Sequence, residues 1–460
     1  MSKPNIVLLL IDSLRADKFY GPEKSSITPN IDKMINHGTY FNQAISSSDA
    51  TLLSWASLFT GKYAFKTGIK SDRYNKLDDS ITTYFEIFQK DGYYLYSYLP
   101  YLSTMIGLFP QFENQDSVKK SGQYSLGKDL SDGLGDQIID LLSSNKMKEP
   151  WFYYIHINDL HYPIAVPDKF LDKKFGLSKY DQQMSAIDEW IGKFIEVIDL
   201  NKTLIVLMSD HGIFIPSVNS DKTNISFEID AKKQQTVTSF SKHIPKFLNP
   251  LKTKIFFSLE EKQNLKKASL VKTLNLKPHQ ERNLLWYRGD LNKVLFDDNV
   301  HVPLLFYGPN IKPQIISQQV GLIDLMPTIC ELVNVNDDIS QNDGKSFVSL
   351  IQGKKMEELP IFLETSQLIQ KKANVVIGIR TSRHKYFRDS EDSSKRIHLF
   401  DLKIDPFENN NIAKKFPEIV SKMEHVLETQ FFKNNDKSKK ELNENDTKEI
   451  EDELKKWGYI

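Results

Sequence analysis

The chain has 460 residues, 40% of them hydrophobic and 26% charged, and its Lys plus Arg and Asp plus Glu are matched at 60 each. These values give volume for a buried core in one large domain or two, and they exclude a chain-wide polyanion binder, so any positive field must be local and no specific nucleic-acid binding is expected. The single cysteine, Cys330, lies in the apolar run Leu325-Met326-Pro327-Thr328-Ile329-Cys330. No disulfide framework can form within the chain, which fits a reducing compartment, and a lone thiol in such a run behaves as a small hydrophobe. Apolar runs are too short for a membrane span, and Met1-Ser2-Lys3-Pro4 leads straight into a strand-like segment without a signal-peptide pattern. The expectation is a soluble cytoplasmic protein.

In chain order, Ile6-Val7-Leu8-Leu9-Leu10-Ile11 is a continuous apolar run that predicts a strand buried on both faces. Asp12 follows at its C-terminal end, where open α/β sheets place their ligands, and reads as either a turn residue or a metal ligand. Thr28-Pro29-Asn30-Ile31-Asp32 starts a helix with Ile31, Met34 and Ile35 on one face. Ser46-Ser47-Ser48-Asp49-Ala50-Thr51 then leads into an apolar stretch that closes on Thr60-Gly61, a loop that delivers Thr51 at a helix start. Unpaired N–H groups there suit an anionic ester and ease formation of an alkoxide; the alternative is a hydroxyl-rich cap with no chemistry. Tyr84 to Phe88 predicts a short helix, and Gly92 to Tyr98 a second strand.

Trp151 to Ile157 is a third strand, followed by Asn158-Asp159-Leu160-His161-Tyr162-Pro163. His161 is a ligand or general acid in one reading and holds its own loop in the other, while His156, inside the strand, reads as structural. Met184, Ile187, Ile191, Phe194, Ile195 and Ile198 recur at helical spacing and mark an amphipathic helix on the sheet. Leu204 to Ser209 is a fourth buried strand that ends in Asp210-His211-Gly212, two metal ligands from one loop. Residues 215–285 are lysine-rich, with Ile225, Phe227 and Ile229 alternating as in a strand and Lys262 to Leu274 patterned as a helix. This insertion reads as a lid or substrate-selecting piece, or as a solvated elaboration or dimer contact.

Beyond it come Arg288, a weaker candidate for anion binding, and His301. Val375 to Arg380, Lys385 to Phe387 and Leu399 to Leu402 predict a smaller C-terminal sheet. Residues 433–448 read as a charged linker, and Glu451 to Trp457 as a last helix.

Ala56-Ser57-Leu58-Phe59-Thr60-Gly61-Lys62-Tyr63 resembles the second half of the sulfatase signature, and Asn5 to Asp17 resembles that family's opening motif. Asp210-His211 is similar to the second metal-binding pair of the alkaline phosphatase superfamily. The resemblance implies an α/β fold with a large, mostly parallel sheet sandwiched by helices and a smaller C-terminal α+β subdomain. It divides the chain into 1–340, 341–432 and 433–460. It also implies one divalent ion, zinc, manganese, magnesium or calcium, held by Asp12, Thr51, Asp210 and His211, with a second ion left open. Thr51 is the implied nucleophile and His161 the group at the leaving oxygen, with Lys62 and Arg288 on the substrate's charged oxygens and His301 either beside them or as the histidine of a second ion. The first half of the signature departs: Thr51, Leu53 and Trp55 stand where sulfatases have Cys or Ser, Pro and Arg. Conversion to formylglycine is therefore not expected, and Ser13 replaces a second aspartate found in many sulfatases.

A phosphomonoester or phosphodiester hydrolase or transferase is the preferred reading, because threonine at this position resembles those branches of the superfamily. The alternatives are a sulfuric ester hydrolase and a non-catalytic binding module for an anionic partner. The substrate is an anionic ester, with a glycan- or lipid-linked intermediate among the candidates, and the oligomeric state stays open.

Overall fold

The computed structural model describes residues 3–69, 76–100, 106–114, 118–119, 129–220, 223–228, 266–285, 295–335, 342–365 and 375–429. Its central element is the apolar run at the N-terminus, which forms strand β1, Asn5–Ile11, buried at every position. The remaining strands of the large sheet are β2 (Thr39–Ile45), β3 (Tyr94–Pro100), β4 (Val118–Lys119), β5 (Trp151–Ile157), β6 (Thr203–Met208), β9 (His301–Tyr307), β10 (Gln314–Ile316) and β11 (Val320–Gly321). Strands β7 (Ser217–Ser220) and β8 (Thr223–Ser226) form a separate antiparallel hairpin.

The nine-stranded sheet runs β10-β2-β9-β6-β1-β5-β3-β4, with β11 beside β2. Every neighbouring pair is parallel except the two made by β9. Helices cover both faces, as a largely parallel sheet requires if its apolar strands are to leave water on both sides. Even-numbered residues of β1, β5 and β6, such as Leu8, Tyr154 and Val206, pack with Trp55 and Phe59 of the Thr51–Thr60 helix. Odd-numbered residues, such as Leu9, Tyr153 and Ile205, pack with Met184, Ile187 and Ile191 of the Lys179–Glu196 helix.

The smaller sheet is antiparallel, in the order β12 (Ile361–Glu364), β13 (Val376–Arg380), β14 (His384–Asp389) and β15 (His398–Asp401). The Pro417–Leu427 helix lies against it through Met423 and Leu427. It is joined to the large sheet by buried ion pairs: Arg380 and Lys385 both reach Asp297, just ahead of β9. In the lysine-rich region, Val218, Val271 and Leu284 make a small core of their own. The remainder of that region from residue 229 to 265, the expected C-terminal linker and the expected last helix lie outside the described residues. Among the described residues no helix is long and apolar enough to cross a membrane.

Candidate active site

Strands β5, β1 and β6 are adjacent, and their register brings three side chains together. Leu10 of β1 stands opposite His156 of β5 and Met208 of β6. Two residues further along, on the same face, come Asp12 and Asp210, because strand side chains alternate with a period of two. Neighbouring strands lie about 5 Å apart, so the three groups must converge. Ligand atoms of Asp12, His156 and Asp210 all lie within 4.8 Å of one another, and all three residues are buried. Parity puts them on the face covered by the helix that begins at Thr51.

That helix spans Thr51–Thr60, and its N-cap is Ala50, with no capping side chain. The first-turn amides therefore remain available to an anion, and Thr51 is not spent as a cap. The Thr51 hydroxyl lies 3.0 Å from His211 Nε2. His211 Nδ1 is 2.8 Å from the Gly212 carbonyl, to which it donates, so that in the neutral ring Nε2 presents a lone pair to Thr51. The same Nε2 is 3.7 Å from Asp12 and 3.8 Å from Asp210. Gly212 is required by close approach: a Cβ there would fall 2.3 Å from the Asp298 carbonyl oxygen. Ser13 adopts a left-handed backbone, φ 64°, and donates to Asp12 Oδ1 at 2.7 Å. Ser13 thus orients the carboxylate beside it.

The electrostatics are those of two like charges among imidazoles. Burial pushes Asp12 up, but His156, His211 and His161 outweigh it and hold that carboxyl below the usual range. Burial, aided by the charge of Asp12, raises Asp210. Burial lowers His211, but Asp210 and Asp12 more than reverse that. Two buried atoms, His156 Nε2 and Asp210 Oδ2, have no hydrogen-bond partner. Orphaned buried polar atoms are costly, and a divalent cation satisfies both at once. The residues present therefore fit an ion. His156, expected to be structural from its place inside a strand, instead faces Asp12, its Nε2 3.5 Å from Oδ2.

His161 is buried at the end of β5, and its loop is built by neighbours. Asn158 donates to Asp129 through its backbone and its side chain, at 3.1 and 2.9 Å, and Asp159 accepts from Gln183. The His161 backbone N–H closes the turn on the Asn158 carbonyl. Other expected residues are not gathered here. Lys62 follows the left-handed C-cap Gly61, so a whole helix, roughly 15 Å, separates it from Thr51. Burial lowers its ammonium, with Asp343 opposing. His301 begins β9 on the correct sheet edge, but its Nε2 is 2.8 Å from the Asn42 carbonyl and its Nδ1 faces Asp297 at 4.0 Å. Arg288 lies outside the described residues.

The sulfatase family model matches residues 4–335, and a model for the C-terminal part of N-sulphoglucosamine sulphohydrolase matches residues 286–433. The chain belongs to the sulfatase family. Arylsulfatase K of Gallus gallus is 25% identical over 455 residues, which cover 93% of this chain and 82% of that protein. A proposed sulfatase from Bacteroides thetaiotaomicron has the same fold, with a TM-score of 0.64 at 16% identity over 97% of this chain and 96% of that one. So does a phosphonate monoester hydrolase of Agrobacterium radiobacter, with a TM-score of 0.62 at 17% identity over 93% and 95%. Sulfatase-family proteins are metal-dependent ester hydrolases, and Asp12, His156 and Asp210 are this member's candidate ion site.

Proposed function

We propose that this protein hydrolyses a sulfuric ester carried on an anionic glycan, with Thr51 as the attacking group. The observation that carries the reading is the convergence of Asp12, His156, Asp210 and His211 on one helix start, in a chain matched by the sulfatase model over residues 4–335. Relatives named Arylsulfatase K along most of the chain support sulfate over phosphate. The glycan part is supported by the C-terminal match to N-sulphoglucosamine sulphohydrolase. The phosphoester preference drawn from Thr51 has the narrower support of the phosphonate monoester hydrolase that shares the fold.

Formylglycine does not fit position 51. Its formation needs the unbranched Cβ of Cys or Ser, and Thr51 carries a methyl group there. No step therefore passes through an aldehyde. A divalent ion held by Asp12, Asp210, His211 and His156 would supply the positive charge that eases ionisation of a nearby hydroxyl and offsets charge on the ester oxygens. Thr51 loses its proton to water, and Oγ1 forms a bond to sulfur as the bond from sulfur to the leaving oxygen breaks. His161 gives its proton to that oxygen. Water then attacks sulfur, the Thr51 oxygen departs and is reprotonated, and sulfate is released. The open N–H groups at the start of the Thr51–Thr60 helix receive the non-bridging oxygens throughout.

The test is turnover of aryl sulfate, aryl phosphate and aryl phosphodiester by metal-stripped protein resupplied with single divalent ions, beside Thr51→Ala. The expected result is aryl sulfate cleavage that falls roughly 10³-fold or more in the variant. Cleavage of phosphoesters alone would overturn the sulfate assignment, and undiminished turnover by Thr51→Ala would remove Thr51 from the chemistry.

A further inference from the structure

We propose that His156 binds the ion through Nε2, and that this histidine makes the site select a first-row transition ion, zinc, cobalt or manganese, over calcium. The proposal rests on reading the Asp12 cluster as an ion site, and it adds the ligating atom of His156 and a metal class to that reading. His156 is fully buried, and its place in β5 is fixed by the pairing with Leu10. Its Nδ1 is 3.0 Å from the Tyr154 hydroxyl.

In the tautomer whose Nδ1–H donates to the Tyr154 hydroxyl, Nε2 turns a lone pair toward Asp12 and Asp210, the arrangement by which an outer partner fixes a ligating imidazole. Trp55 stacks edge-on against the ring at 5.1 Å and 86°, which closes another direction. A histidine placed only for packing would have both nitrogens satisfied, yet Nε2 has no hydrogen-bond partner and its approach to Asp12, 3.5 Å, is too long for a good one.

Metal preference follows from the donor set. Calcium takes six to eight oxygen donors, typically several of them carboxylates. Here the residue after Asp12 is Ser13, its hydroxyl already committed to Asp12, and two imidazoles approach the carboxylates. Imidazole favours borderline transition ions.

The experiment uses the full chain, stripped of metal, and measures binding of zinc, cobalt, manganese and calcium by calorimetry and the visible spectrum of the cobalt form. Wild type is expected to bind zinc and cobalt at least roughly 100-fold more tightly than calcium. His156→Ala should weaken cobalt binding by about 10- to 100-fold and change the cobalt spectrum, while Tyr154→Phe, which keeps the ligand and loses its anchor, should weaken it by about tenfold with the spectrum retained. Circular dichroism checks folding, and the wild-type preference stands even if His156→Ala fails to fold. Calcium bound as tightly as zinc, or unchanged cobalt affinity and spectrum in a folded His156→Ala, would overturn the assignment while leaving the ion site intact. Wild type that binds no ion would overturn both. Ester turnover enters none of these arms.

Discussion

Two clusters of buried charge meet at Gly212, and they differ in how completely they are satisfied. In one, every carboxylate has a cation within ion-pair distance, Glu408 Oε1 meeting Lys385 by charge without hydrogen-bond geometry. Asp298 faces Arg15 at 2.8 Å and Arg282 at 2.7 Å; Asp297 faces Arg380 at 2.7 Å and Lys385 at 2.8 Å; Lys385 also reaches Glu408 at 2.8 Å. In the other, Asp12 and Asp210 repel each other across imidazoles, and two buried atoms are left unpaired. Matched charge holds the C-terminal sheet onto the large one. Unmatched charge, kept in place by the same scaffold, marks the site that must take up a cation.

The contrast is broken most forcefully at Asp298. Asp298→Ala leaves Arg15 and Arg282 buried without their counter-charge and is expected to destabilise the fold by about 3–5 kcal/mol, read as a lower denaturant midpoint. The opposite sign is expected at Asp210: Asp210→Asn relieves a like-charge contact, so the metal-free variant should be at least as stable as metal-free wild type. That variant should also lose the stabilisation that an added ion gives wild type by binding only the folded state, a difference visible in melting curves with and without ion.

The smallest effect is in the acid limb. Arg15 and Arg282 outweigh burial and hold Asp298 below the ordinary carboxylate range. Its contribution is therefore present above the unfolded pKa, about 3.9, and lost as pH falls toward the folded value. Asp298→Asn should accordingly show a shallower loss of stability below about pH 4 than wild type. An equally steep acid limb in the variant would assign that loss to other carboxylates.

Much of this was legible in the sequence, and the failures have physical causes. The strands β1, β5 and β6 announce themselves as apolar runs because a parallel sheet buries both faces, and Asp12 and Asp210 follow directly from where those runs end. His156 carried a signal too: Phe152, Tyr154 and His156 share one parity, so the histidine is the last residue of β5 on the face under the Thr51 helix. Burial inside a strand does not satisfy a ring nitrogen, and His156 Nε2 has no hydrogen-bond partner. Strand β2 was hidden because Asn42 and Gln43 interrupt its apolar pattern where its pairing with β9 shifts between Phe41 and Ala44. Lys62 is adjacent to the nucleophile stretch in sequence, yet the helix carries it away. The pairing of Asp297 with Arg380, 83 positions apart, is tertiary and leaves no local trace.

The most direct measurement of the central claim is mass analysis of the Thr51 peptide from ion-loaded protein quenched during turnover of an aryl sulfate. The account predicts that one sulfate group is added at Thr51 and is missing from Thr51→Ala. Turnover with that peptide unmodified, or a sulfate group found on another residue, would contradict it.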